Sequence, residues 1–237
     1  MSAPTIEETL YDYVIQGIVK ELFIADEAKA LCAEIGNHAE KVNSQGLGEL
    51  FGSLQAAYSE RQTLSIAKLF DPPSNKYPTR SIPAVIDFME RNVSALPVTQ
   101  THVLHKRLVF AGHDELKVKS LSNEQLAREV CADLQSTLPK GKQGNTDPLS
   151  VALLKVKESR DKAIAHNEAV HPSARQWTTW GEEELLVDYA KDFVALVSFG
   201  FLGLYLGDGA NWYYNSASAS RTSKMLSRVL QLANLAA

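Results

Sequence analysis

The stretch Ser159-Arg-Asp-Lys-Ala-Ile-Ala-His-Asn167 continues an apolar stripe and decides how the surrounding chain is expected to fold. The stripe has apolar residues at helical spacing, at Val151, Leu153, Leu154, Val156, Ala163 and Ile164. This periodicity predicts a buried amphipathic helix, which Arg160 and His166 interrupt near its end. On an ideal helix these two residues lie roughly 120° apart. They converge on one ligand only if the helix ends or bends near Ala165, which the following Asn167-Glu168 and Pro172 favour.

Arg160 and His166 are the residue types that metal-free phosphodiester chemistry requires. A guanidinium can clamp a phosphate with paired hydrogen bonds, and an imidazole can move a proton near pH 7. The same spacing also suits an ordinary helix C-terminus. There Arg160 would pair with Glu158 or Asp161, and His166 would interact favourably with the helix dipole. Spacing alone leaves both interpretations open.

The charge of the chain is unevenly distributed. The 237 residues carry a formal net charge of −4, which argues against a surface that coats nucleic acid non-specifically. The first 60 residues hold three basic and ten acidic side chains. Residues 155–175 reverse this balance, with five basic residues against three acidic ones. The surroundings of Arg160 are therefore locally basic, as a site for an anionic ligand requires.

Composition predicts a globular protein of the reducing cytoplasm. A hydrophobic content of 45% and a charged content of 22% are ordinary for a soluble domain. Cys32 and Cys131 lie among apolar neighbours and are expected to be small core residues. The N-terminus carries acidic residues where a signal peptide has basic and apolar regions. The apolar run 193–206 is too short to span a bilayer, so it predicts a buried helix and no membrane association.

Helical periodicity dominates the chain and predicts an all-α bundle. Helices are expected over 6–22, 26–42, 47–69, 81–95, 122–138, 147–166, 182–206 and 218–235. Local signals set several of these ends, namely Asp71-Pro72-Pro73, the capping box of Ser122 with Gln125, Asp147 with Pro148, and Gly207-Asp-Gly209. Residues 97–120 are ambiguous and favour helix and loop. We expect one domain over 1–237, with a core at about 5–206, a C-terminal helix at about 218–235, and helices 147–166 and 182–206 as an antiparallel hairpin.

Other candidate sites are weak. His102, His105 and His113 with Asp114 do not have the spacing of a known metal site, so no metal is predicted. Lys140 and Lys142 lack the Gly-x4-Gly-Lys-Ser/Thr order of a phosphate-binding loop, and no cofactor is predicted. Trp212, Tyr213 and Tyr214 suit packing, although such a cluster can also stack on RNA bases.

Two segments together resemble one known family. Arg160 to His166 matches the Arg-x(4–6)-His signature of the HEPN superfamily. The segment Tyr58-Ser-Glu-Arg-Gln-Thr-Leu-Ser-Ile-Ala-Lys-Leu-Phe-Asp71 is similar to the second long helix of its abortive-infection, AbiU-like subgroup, in which an Arg precedes a Leu-Phe-Asp-Pro ending. The resemblance spans about residues 5–206 and implies a HEPN-like helical bundle with additional helices.

The resemblance also implies a function and a set of roles. Many family members are metal-independent endoribonucleases in toxin, phage-defence or RNA-processing systems, and they often dimerise with their Arg–His motifs close together. Other members have lost activity and only bind. Carried over to this chain, Arg160 is the phosphate clamp, Asp161 the adjacent polar residue and His166 the acid–base group. Asn167, Lys162 and Arg61 complete the candidate substrate-binding set.

The expected function is cleavage of RNA by its own 2′-hydroxyl, in a bacterial defence or toxin context, by a homodimer. An antitoxin or defence-system partner is possible within that context. Some toxin members carry a Tyr two residues after the His, which a partner nucleotidyltransferase modifies. Glu168 stands at that position here, so such a partner is not implied. The alternatives are a non-catalytic HEPN module that binds nucleotide, RNA or protein, and a structural helical protein in which the motif is accidental.

Overall fold

The computed structural model describes residues 3–76, 78–161, 178–208, 211–212 and 215–235, and within them the protein is all-α, as predicted. The α-helices are α1 (Ile6–Tyr11), α2 (Lys20–Asn37), α3 (Ala39–Ser44), α4 (Gly48–Leu69), α5 (Ile82–Arg91), α6 (Thr101–Phe110), α7 (Glu115–Lys119), α8 (Asn123–Thr137), α9 (Pro148–Glu158), α10 (Trp180–Leu202) and α11 (Asn215–Leu232). A π-helical segment covers Asp12–Val19 and a 3-10 turn covers Val93–Ala95. The short strands β1 (Gly207–Asp208) and β2 (Asn211–Trp212) pair antiparallel.

The N-terminal helices form one continuous rod. The capping box of Thr5 and Glu8 starts α1, and the π-helical segment joins it to α2 without interruption. The predicted break between residues 22 and 26 is therefore wrong. No Gly or Pro lies there, and Ala25 is buried where helix packing favours continuity. The rod ends at Asn37, and α3 forms the remainder of the predicted helix.

Local stop and start signals are confirmed where they are strongest. α4 ends at Leu69, directly before the Phe70-Asp-Pro-Pro73 breaker. The side chains of Ser122 and Asp147 cap α8 and α9, and Gln125 completes the predicted capping box. Residues 97–120 form two short helices with loops, in line with the favoured interpretation.

α10 lies at the centre of the bundle and contacts α1, α2, α4, α6, α9 and the π-helical segment. Its side chains Phe193, Val194, Val197 and Phe201 are buried. The helix ends at Gly203, whose left-handed conformation (φ 69°) lets its N–H donate to Phe199 O. The predicted end at residues 207–209 is wrong because Gly207 pairs in β1 instead.

α11 packs on the outer side of the N-terminal rod. Leu230 and Leu235 form a small second core with Val42, to which Leu47 and Phe51 add their side chains. The main core is built from the other helices. Among the described residues, no helix is long and apolar enough to cross a membrane. Cys32 and Cys131 are buried free thiols, as expected from the sequence.

Gly17 allows the chain after α4 to cross closely over the π-helical segment. A Cβ atom at Gly17 would lie 2.3 Å from Arg80 Cβ and 3.0 Å from Arg80 O. The same crossing forms the Arg80–Asp12 ion pair, with Nε 2.7 Å from Oδ2. Only a residue without a side chain fits this approach.

We expect Gly17→Ala to lower the free energy of unfolding by about 1–3 kcal/mol, because the added methyl group overpacks a close backbone contact. Gly52→Ala is the matched control, since Gly52 is exposed in α4 with open space around its Cα. That change should raise stability by up to about 1 kcal/mol through helix propensity. Urea denaturation of both variants measures the difference. Equal stability changes of the same sign would contradict the close-packing argument.

Candidate active site

Arg160 lies at the widened C-terminal end of α9. The helix begins at Pro148 behind the Asp147 cap and continues beyond Glu158 into a π-helical turn at 159–161. Ser159 and Val156 point into the protein and are buried. The neighbouring Arg160 side chain is 24% exposed.

Two carboxylates hold the Arg160 guanidinium. Its Nη1 donates to Asp71 Oδ1 at 2.5 Å, and its Nε donates to Asp161 Oδ1 at 2.7 Å. These hydrogen bonds, the one to Asp161 first, raise the pKa of Arg160 above its ordinary value. The Arg160–Asp161 pair is also the contact that the sequence predicts if this segment is an ordinary helix C-terminus. Arginine has five N–H donors, and within the described residues the others have no protein acceptor.

The end of α4 positions Asp71. Leu69 and Phe70 are buried, and the Phe70 ring packs against Tyr189 of α10 with 6.0 Å between centroids. The Asp71 carbonyl accepts a hydrogen bond from Ser81 Oγ at 2.6 Å. The hydrogen bond from Ser81 thus holds the backbone of Asp71 in place, and from that position the Asp71 side chain contacts Arg160. The structure brings together the two segments that carry the family resemblance, 89 residues apart in sequence.

Lys157 is a second cation that interacts electrostatically with the Asp71 carboxylate. It lies three residues before Arg160, so both side chains occupy one face of the helix. Burial lowers the pKa of Lys157, and the negative charge of Asp71 opposes that shift. Sequence reasoning missed both Lys157 and Asp71 as site residues. The three-residue spacing could have indicated Lys157, whereas nothing local ties Asp71 to Arg160.

The remaining predicted site residues are placed as follows. Arg61 lies in α4, about 12 Å along the axis from its end, and its Nη2 is 4.0 Å from Glu27 Oε2. Asp71, and not Arg61, is the α4-side residue that contacts Arg160, so a substrate role for Arg61 stays a prediction. Lys162, His166 and Asn167 lie outside the described residues, as does the predicted helix end near Ala165.

The alternative metal cluster is not formed among the residues that the structure describes. No group of three His, Cys, Asp or Glu side chains there is arranged to hold a metal ion. The ring of His102 instead packs edge-on against Phe199, with 6.1 Å between centroids.

The start of α10 holds a buried carboxylate next to the Arg160 helix. Glu183 is 5% exposed, and its Oε1 accepts hydrogen bonds from Thr63 at 2.8 Å and Thr178 at 2.9 Å. The neighbouring Glu182 pairs with Lys155 and so links α10 to α9. Burial raises the pKa of Glu183 above its ordinary value, although both threonine hydrogen bonds oppose the shift.

We expect Glu183→Gln to stabilise the protein at pH 7, because the amide oxygen keeps an acceptor while the buried charge is removed. A carboxyl whose pKa is higher in the folded state than in the unfolded state makes the folded state bind more protons. Stability therefore falls as pH rises from the unfolded-state pKa to the folded-state pKa. The gain should therefore disappear near pH 4, where the unfolded carboxyl is also protonated. Thermal unfolding at both pH values measures it.

Glu184→Gln is the control for that experiment. Glu184 is exposed and pairs with Lys29 at 2.8 Å, which lowers its pKa. Its replacement should leave stability at pH 7 unchanged or slightly reduced. If the Glu183→Gln variant is less stable than wild type at pH 7, the prediction that the buried Glu183 charge lowers stability is wrong.

The amino-acid sequence of this chain matches a protein-family model. The HEPN family model described as AbiU2 matches residues 7–204, a range that contains α4, α9, α10 and the Arg160–Asp71 contact. α11 lies beyond the matched range. No curated protein and no solved structure matches the chain.

Proposed function

Because the chain belongs to the AbiU2 family of HEPN proteins, we propose that it is a metal-independent endoribonuclease of bacterial defence or toxin systems. The observation that carries the proposal is the Arg160 guanidinium, which Asp71 and Asp161 hold and whose other N–H donors have no acceptor among the described residues. Donors fixed in advance stabilise developing phosphoryl charge without reorganising during the reaction. Lys157 adds a second positive charge beside them.

The proposed chemistry uses the 2′-hydroxyl of RNA as the nucleophile. His166 removes a proton from this hydroxyl or returns one to the leaving group, a contribution of about 10²–10⁴ in rate. Arg160 binds the phosphoryl oxygens, and Asp161 orients the guanidinium. Asn167, Lys162 and Arg61 are the proposed substrate-binding residues. None of these steps uses a metal ion.

One observation favours a second candidate, a non-catalytic HEPN module that binds nucleotide, RNA or a protein partner. Two carboxylates contact Arg160, so much of its positive charge is compensated before any anion arrives. The net charge of −4 adds to this effect. Such a module would act in the cytoplasm with a defence-system or antitoxin partner, as the enzyme would.

The decisive experiment is incubation of the purified protein with total RNA in EDTA. We expect cleavage that leaves 2′,3′-cyclic phosphate ends, and resistance of a substrate with 2′-deoxyribose at the scissile position. Arg160→Ala and His166→Ala should each lower the rate by about 10²-fold or more. Arg128→Ala, which removes an exposed arginine of α8 paired with Glu124, should leave the rate unchanged.

Two results would overturn the proposal. Loss of cleavage in EDTA with recovery in Mg²⁺ would indicate a metal nuclease. Complete inactivity of well-folded wild-type protein on varied RNAs would favour the binding module.

A homodimer is the proposed assembly, with the Arg160–His166 sites of two subunits facing one cleft. Within the apolar run 193–206, Phe193, Val197 and Phe201 are buried in one chain and are not available to an interface, whereas Tyr205 is 48% exposed. Trp180 and Leu185 are 46% and 45% exposed near the start of α10 and are better candidates.

We therefore expect a mass of twice the 26.1 kDa of one chain at micromolar concentration. Light scattering coupled to gel filtration measures it. Leu185→Glu should shift the mass toward one chain because it places charge in an apolar contact. A wild-type protein that is strictly monomeric would count against the shared cleft.

A further inference from the structure

The C-terminal part of the chain is basic in an otherwise acidic protein. Residues 209–237 contain three basic residues and no Asp or Glu, although the whole chain has a net charge of −4. All three basic residues lie in α11. This helix follows the range that the family model matches, so its charge is a feature of this chain beyond the shared bundle.

Contacts with the rod fix the rotation of α11. Leu226 and Leu230 pack into the small core around Val42. Thr222 Oγ1 donates to Glu27 Oε1 at 2.9 Å, and Ser223 Oγ donates to Glu34 Oε2 at 3.0 Å. These residues define the inner face, so the opposite face of α11 is directed away from the bundle.

Arg221, Lys224 and Arg228 lie on that outer face. Their spacing of three and four residues places them in one stripe, about 10 Å long from first to last. All three are exposed, and no carboxylate among the described residues pairs with them. With Ser220 and Met225 they line a shallow surface depression that is open to solvent. We call these three residues the basic stripe.

We propose that the basic stripe binds the phosphodiester backbone of single-stranded RNA, an inference that rests on RNA being the ligand in the proposed function. Lysine and arginine neutralise successive phosphates, and no acidic side chain in residues 209–237 competes for them. Ser220 carries a hydroxyl of the kind that binds phosphate and sugar oxygens.

Charge disfavours the other occupants of this face. A second copy of α11 would place cations against cations, because the helix contains no acidic residue. Anionic lipid surfaces are typically bound by four to eight basic residues, more than the basic stripe offers. A protein partner would use the adjacent apolar edge, which Met225, Val229 and Leu232 form at 65%, 59% and 79% exposure.

The test uses the full chain carrying Arg160→Ala and His166→Ala, so that RNA remains intact during binding. The probe is a labelled oligouridylate of about 16 nucleotides, titrated at several salt concentrations. Replacing the basic stripe by Arg221→Ala, Lys224→Ala and Arg228→Ala should weaken binding at least tenfold at about 0.1 M salt. It should also reduce the slope of log K against log salt by about 2.

Two control variants separate the stripe from net charge and from the apolar edge. Lys106→Ala with Lys117→Ala and Lys119→Ala removes the same charge from exposed positions of α6 and α7, and binding should change less than twofold. Val229→Ser with Leu232→Ser should also leave RNA binding within twofold. Circular dichroism of each variant checks that α11 remains folded.

Each outcome of these experiments supports or overturns the assignment of RNA to the basic stripe. Equal weakening by the stripe variant and the three-lysine variant would show a net-charge effect and overturn the stripe. Stronger weakening of RNA binding by the apolar variant would place the RNA contact on the apolar edge and overturn the stripe. Stripe-dependent binding to vesicles containing phosphatidylserine but not to RNA would assign the face to a lipid. If wild type cleaves RNA and the stripe variant binds RNA unchanged, only this inference fails. If the stripe binds RNA and the wild type never cleaves it, only the proposed activity fails.

Discussion

Burial of α10 is the constraint on which the rest of the structure depends. Most of its length is apolar, and six other helical segments surround it. The apolar faces of this helix must be covered by its neighbours, whereas Glu184, Leu185, Asp188 and Asp192 leave one edge exposed. The two helices that form the candidate site, α4 and α9, are both part of this enclosure. Their mutual position follows from the need to cover α10.

The candidate site is a polar contact at the edge of that enclosure. Phe70 packs onto Tyr189 of α10, and this apolar contact sets where the next residue, Asp71, can reach. Arg160 is brought to it by the apolar stripe of α9. The ion pair itself is half-buried, at 24% and 27% exposure, so it contributes little net stability beyond what packing supplies. Its importance lies in fixing the direction of a guanidinium that can bind an anion.

Charge separates the molecule into two parts. Residues 1–208 hold 21 basic and 28 acidic side chains, a net charge of −7, whereas the remainder is purely basic. An acidic body repels a polyanion except where local cations face it. Such a distribution allows a polyanion to bind at a few defined places, and it disfavours indiscriminate coating. The carboxylates beside Arg160 act in the same direction, since they weaken its attraction for a loosely placed phosphate.

The sequence by itself determined the helical class, the family resemblance and the helix ends set by nearby residues. Asp147 with Pro148, Ser122 with Gln125, and the Pro72-Pro73 breaker act within one turn of chain, so their effects can be predicted without the fold. The tertiary structure alone decided the continuity of the first rod, the early end of α10 at Gly203, and the choice of Asp71 over Arg61 as the contact of Arg160. These outcomes depend on which surfaces pack together. An ion pair spanning 89 residues has no local signal, because packing of the intervening helices brings its two ends together.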